Sequence, residues 1–202
     1  LIRPLSILCL LGALSFGSPG RSQILIDDKG EGVSQSYSKQ ATDGFDFRRQ
    51  RKMGFGVSTA GALGLLGINL ELAFSPEASL IGGFGTGDIY QSFSFQYKYV
   101  LGGHWLSPYV GMGYAKWYTT KANPVAIETT MPNFLATKFL NDEELRTGVF
   151  SENLIFPMAG FQYHQLRGPY SGIALYAHAL MLFDLDDFVS APTGELGAYY
   201  YF

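Results

Sequence analysis

From residue 53 to residue 202 apolar side chains return at every second position, and breaks in that rhythm divide the chain into eight segments: 53–61, 65–74, 79–86, 90–100, 107–118, 153–165, 170–183 and 193–202. Successive side chains of a β-strand point to opposite faces, so a period of two predicts strands. The alternation is sharpest in three segments. Leu66, Ile68, Leu70, Leu72 and Phe74 oppose Gly67, Asn69, Glu71 and Ala73; Phe93, Phe95, Tyr97 and Tyr99 oppose Ser92, Ser94, Gln96 and Lys98; Ile173, Leu175, Ala177, Ala179, Met181 and Phe183 oppose Gly172, Ala174, Tyr176 and His178. Leu180 and Leu182 blur the far end of the seventh segment. Pro157 interrupts the sixth and suggests a bulge or kink. The fifth carries Val110, Met112 and Tyr114 on one face but also Lys116, which leaves its inside and outside open.

The connections after the second, fourth and sixth segments are short, whereas 119–152 is long and 184–192 intermediate; 62–64 and 87–89 are short exceptions. Short turns on one side and longer loops on the other are the habit of an up-and-down barrel with an even strand count. The expected fold is therefore all-β, an eight-stranded antiparallel up-and-down barrel. Its eighth strand would pair with the first near Phe55 and Val57, leaving no free edge.

Period alone does not say which face is inside. Composition does: the chain is 47% hydrophobic but only 15% charged, against about 25% charged in an ordinary soluble domain. The faces opposite the apolar ones are mostly Gly, Ala, Ser, Asn and Gln, too few charges to cover a wetted exterior, whereas a narrow barrel has room for them inside. The greasy face then points outward into lipid, and the barrel is a transmembrane one. A bore of eight strands is filled by its own side chains, so no open pore is expected. Asn69, Glu71, Gln96, Lys98, Gln162, His164, His178 and Glu195 form the expected interior polar network, with Glu71 and Lys98 paired because buried charges need partners. Tyr97, Tyr99, Trp105 and Tyr109 surround one short turn, and Trp117 and Tyr118 mark the other end of the next strand, as interfacial aromatic belts would.

Ahead of the strands, Arg3, an apolar run over 5–16 and small residues up to Gly20 have the pattern of a secretory signal over 1–20. Cys9, the single cysteine, lies within that run after Leu8 and is no acylation site. Residues 21–52 are polar without a sustained period and are expected to be a flexible periplasmic leader, its basic cluster Arg48, Arg49, Arg51 and Lys52 a solvated face. A net charge of −3 argues against nucleic acid as a partner, since such proteins usually carry a basic excess.

The signal-like start, the eight amphipathic strands, the hairpin YKYVLGGHWLSPYVGMGY and the terminal YYYF resemble the small eight-stranded outer-membrane β-barrel proteins of Gram-negative bacteria, the opacity-type and related families. The resemblance spans roughly 53–202. It implies an outer-membrane location with both chain termini periplasmic, contact with outer-membrane lipid and lipopolysaccharide, and handling by the barrel assembly machinery. Leu196, Ala198, Tyr200 and Phe202 resemble the terminal signal that this machinery reads. Some barrels of this kind modify lipid A, which is the alternative function. No HExxH, GxSxG or P-loop spacing occurs, so no catalytic, cofactor-binding or metal-binding residue is expected, and the protein reads as a structural or surface-interaction barrel rather than an enzyme. Asp184, Asp186 and Asp187 are carboxylates of the kind that bind Ca²⁺ or bridge it to lipopolysaccharide, but their spacing matches no defined calcium loop and a solvated acidic loop is the expectation. The loop 119–152 would carry any recognition of an external ligand, which the sequence does not name.

Overall fold

The computed structural model describes residues 41–87, 90–119 and 138–202; the expected signal over 1–20, the leader as far as residue 40 and the middle of the long loop lie outside them. The eight strands are β1 Met53–Ala60, β2 Leu66–Ala73, β3 Ala78–Thr86, β4 Tyr90–Val100, β5 Leu106–Thr119, β6 Ser151–His164, β7 Ile173–Asp184 and β8 Ser190–Tyr201. Each pairs antiparallel with its sequence neighbours, and β8 returns to β1 to close the barrel. At the seam Phe55 faces Tyr200 and Val57 faces Ala198, which is the expected pairing of the last strand with the first.

The pleat sorts residues as their chemistry requires. Phe55, Ile68, Leu70, Leu80, Phe95, Leu175 and Leu196 point outward and are exposed, while Asn69, Ser79, Ser94, Gln96 and Gln162 are buried in the lumen. An exterior this apolar is stable only against hydrocarbon, where every backbone N–H and C=O must be paired, and a closed ladder does that. Among the described residues no helix is long and apolar enough to cross a membrane.

Pro157 introduces no bulge. The register on either side is unchanged, Ile155 facing Phe183 and Met158 facing Leu180; proline withholds one donor and the ladder skips that point. β5 is now unambiguous: Val110, Met112, Tyr114 and Lys116 point outward, and Tyr109, Ala115 and Trp117 point in.

Both mouths of the barrel are stoppered by the chain. At the end where β1 begins, a two-turn helix, α1 (Gly44–Gln50), is capped by Asp43, whose side chain accepts from the Asp46 N–H. It buries Phe47 and Arg48, and the Gly44 N–H donates to Gly103 O at 2.5 Å in the β4–β5 turn. The flexible leader is thus corrected for residues 41–52, which fold because a helix too short to stand alone is held by packing. At the other end the β1–β2 connection forms a 3-10 turn, Gly61–Leu63, that dips into the bore. Trp117 Nε1 donates to Ala62 O at 2.7 Å and Ser92 Oγ to Leu63 O at 2.7 Å. Gly61 (φ +74°) and Gly64 (φ +87°) supply the left-handed backbone that lets the turn reverse. Around it the upper lumen is apolar, with Leu154, Phe156, Leu180, Leu182, Phe139 and Phe150 buried. That apolar half is why Leu180 and Leu182 blurred the alternation of the seventh segment. The long loop adds a helix, α2 (Asp142–Thr147), with a capping box between Asn141 and Glu144.

Gly85 lines the lumen against the backbone oxygen of Leu63, where a Cβ could not fit, while an added Cβ on Gly82 would meet only the Phe95 ring, at 3.8 Å. Overpacking costs about 1–3 kcal/mol where the obstruction cannot move. Gly85→Val should lower the unfolding free energy in urea by at least about 2 kcal/mol, and Gly82→Ala should change it by less than about 0.5 kcal/mol.

Candidate functional site

The lumen holds a cluster of buried charges. Glu71, on β2, is fully buried, and both its oxygens are saturated: Oε1 accepts from Arg48 Nη1 at 2.9 Å and Ser79 Oγ at 2.7 Å, Oε2 from Lys98 Nζ at 2.6 Å and Tyr201 Oη at 2.6 Å. A carboxylate has about four acceptor sites, and all are used. Lys98 also donates to Gln162 Oε1 at 2.9 Å, and Gln162 Nε2 donates to Tyr201 Oη at 2.7 Å. Arg48 is fixed further through Nε to Pro76 O at 2.6 Å. Burial works against the Arg48 charge, yet Glu71 and Tyr201 beside it outweigh that and leave its pKa raised above the ordinary value. One carboxylate thereby joins α1 to β2, β3, β4 and β8, with β6 one bond further.

A second cluster surrounds Glu195. Tyr176 Oη donates to Glu195 Oε1 at 2.7 Å, Asn69 Nδ2 donates to Ser58 Oγ at 3.0 Å and lies 3.4 Å from Tyr176 Oη, and His178 Nδ1 is 2.8 Å from Tyr109 Oη with Nε2 3.8 Å from Glu195 Oε2. The expected single network is therefore two hydrogen-bonded clusters. Between them Lys98 Nζ lies 5.4 Å from the Tyr109 ring centre and 5.6 Å from that of Tyr199, a cation–π bridge in place of hydrogen bonds. Among the described residues Gln96 reaches only Ser94, at 3.4 Å. His164 is buried beside the Phe47 and Tyr201 rings, and neither ring nitrogen has a hydrogen-bond partner among the described residues. All eight residues expected inside are inside.

The aromatic belts are corrected at two positions. Tyr97, Tyr99 and Trp105 are exposed at the α1 end and Tyr118 is half-exposed at the opposite one, but Tyr109 is 2% exposed and Trp117 1%. The pleat of β5 sends both into the lumen, where Tyr109 meets His178 and Trp117 holds the 3-10 turn. Leu196, Ala198, Tyr200 and Phe202 share the outward face of the last strand's end. The basic cluster is not uniformly solvated: Arg48 is buried, and Arg51 Nη1 donates to Ser171 O at 2.7 Å and Tyr201 O at 3.2 Å.

Sequence reasoning missed Arg48, Tyr201, Tyr176 and Ser79. Tyr176 stood on the inward set of its strand, and Asp43 ahead of the GFDFRRQ run was a readable helix start. Asp184 was placed in an external loop. The structure puts it last on β7, facing inward and 1% exposed.

Space inside is scarce. A small gap bounded by Lys98, Tyr109, His178 and Tyr199 has a volume of about 10 Å³, roughly the room of one water. That gap leaves His178 facing room for a water rather than a substrate. His104 lies exposed in the β4–β5 turn.

No protein-family model matches the chain, and no curated protein does. Among solved structures it is similar to the N-terminal β-barrel domain of Pseudomonas aeruginosa OprF, at 15% identity over 74% of this chain and 97% of that one, with a TM-score of 0.50. Ail, the attachment invasion locus protein of Yersinia pestis, matches as a crystal structure at 16% identity over 74% of this chain and 95% of its own, TM-score 0.30. In a phospholipid bilayer nanodisc it matches at 14% identity over 74% and 97%, TM-score 0.37. At these identities the OprF likeness speaks for the fold alone, a closed β-barrel, and the Ail scores add no argument.

Breaking a buried ion cluster by removing one partner typically costs about 3–5 kcal/mol, because the remaining charge is stranded. Glu71→Gln strands both Arg48 and Lys98 and should lower the urea unfolding free energy by about that amount, measured by tryptophan fluorescence in detergent micelles.

Proposed function

We propose that the protein is an outer-membrane β-barrel with a structural or surface-interaction role, closed to solute flow, with the α1 mouth and both chain termini in the periplasm and the long loop outside. One observation carries the reading: an apolar exterior wraps a lumen in which Glu71 is paired with Arg48 and Lys98 and whose two mouths are stoppered by α1 and the 3-10 turn. Such a molecule presents function on its loops, since neither its wall nor its bore can admit a polar ligand. The placement of short turns on the α1 side and the long loop opposite follows the habit of outer-membrane barrels. Its partners on this reading are outer-membrane lipid along the wall, lipopolysaccharide near the long loop, and the assembly machinery along the outward face of β8 during folding.

The lipid A-modifying alternative gains nothing from the geometry. His164 and His178 face a filled lumen, and His104 lies on the α1 side, away from the leaflet that would hold lipid A on this orientation. The protein is expected in the membrane fraction, soluble only in detergent, and to migrate differently in detergent gels before and after boiling, as an intact barrel does. Lipid A from cells with and without it should give the same acyl pattern by mass spectrometry. Recovery in the aqueous fraction would overturn the membrane assignment, and an altered acyl pattern the non-enzymatic one.

A further inference from the structure

At the long-loop end three carboxylates that the sequence scatters over two strands and a loop converge. Glu152 opens β6, Asp184 ends β7 and Asp186 follows in the β7–β8 connection; one carboxylate oxygen from each lies within 4.8 Å of the other two. Glu152 and Asp184 are both buried. An acidic cluster alone says little, because exposed acids are common on loops. Two of these are not exposed, and Asp184 Oδ2 is buried without a hydrogen-bond partner among the described residues. A buried carboxylate oxygen without a donor is costly, and it costs more beside two like charges. Yet the fold positions the group deliberately: Asp184 Oδ1 accepts from the Asp186 N–H at 2.9 Å, and Asn153 Nδ2 lies 3.3 Å from Asp186 Oδ2. Asn153 is itself anchored by Tyr114, whose hydroxyl donates to its Oδ1 at 2.8 Å.

We infer that Glu152, Asp184 and Asp186 form a calcium site that clasps the β6–β7 rim of the barrel. The geometry suits the ion. Calcium–oxygen bonds are about 2.4 Å, so oxygens on one coordination sphere are at most about 4.8 Å apart, and the three oxygens here lie within that limit. The donors are all oxygen, which hard cations select and zinc or copper do not require. Mixed carboxylates from separate segments suit calcium's flexible coordination better than the rigid octahedron of magnesium. The ion would supply the positive charge that Asp184 Oδ2 lacks. It would also tie the start of β6, which follows the long loop, to the β7–β8 loop. Asp187, next in sequence and exposed, is outside the converging set and serves as a control.

Calorimetric titration of Ca²⁺ into the chelator-treated protein in detergent micelles at neutral pH tests this. One saturable site is expected, with affinity at least about tenfold lower in Asp186→Asn and Asp184→Asn and unchanged in Asp187→Asn. Asp186→Asn alters an exposed residue and keeps the test valid if the Asp184 variant misfolds. A midpoint of thermal unfolding that rises with Ca²⁺ in the wild type but not in Asp186→Asn would support the site. No saturable binding at millimolar Ca²⁺, or equal loss in Asp187→Asn, would overturn it.

Discussion

Glu71 is the residue on which the rest of the architecture leans. A carboxylate with no exposure cannot stay charged unless donors surround it, and here four do, from α1, β3, β4 and β8. Three of those four donors are themselves held: Arg48 by Pro76, Lys98 by Gln162, Tyr201 by Gln162 again. The cluster thus converts an electrostatic liability into a fixed arrangement of one helix and five strands. Buried ion pairs add little net stability compared with apolar packing, but removing one member is expensive, so the cluster acts as a constraint on which packing is allowed.

From that constraint the division of the lumen follows. Near α1 the bore is charged and hydrogen-bonded; toward the long loop Trp117, Leu154, Leu182 and Phe139 pack an apolar layer at the level of the 3-10 turn, with Glu152 and Asp184 buried at the rim beyond. Small residues make room for large ones on the neighbouring strand. Gly54 and Gly56 lie against the Tyr201 and Tyr199 rings, where any side chain would collide. The outer wall needs none of this. It needs only to be apolar, and lipid supplies the remaining packing.

The same contrast explains how much could be read from the sequence. Strand number, the β1–β8 seam and the eight buried polar residues were legible, because a lipid-facing wall enforces strict alternation. Tyr109 and Trp117 were not, since Lys116 sits on the outward face of β5 and long cationic side chains can extend along a wall to reach water. Arg48 was hidden because a two-turn helix carries too little periodicity to be seen, and its burial depends on a counter-charge 23 positions away. Asp184 looked like a loop acid because nothing local shows that β7 continues to it and turns it inward.

The claim that binds these observations is that the bore is closed by the chain itself. Conductance of the purified wild-type protein in planar lipid bilayers tests it most directly. A bore closed by its own chain gives a silent membrane, with no steady unitary current at any moderate voltage. Steady, uniform conductance steps from the wild-type protein would contradict it.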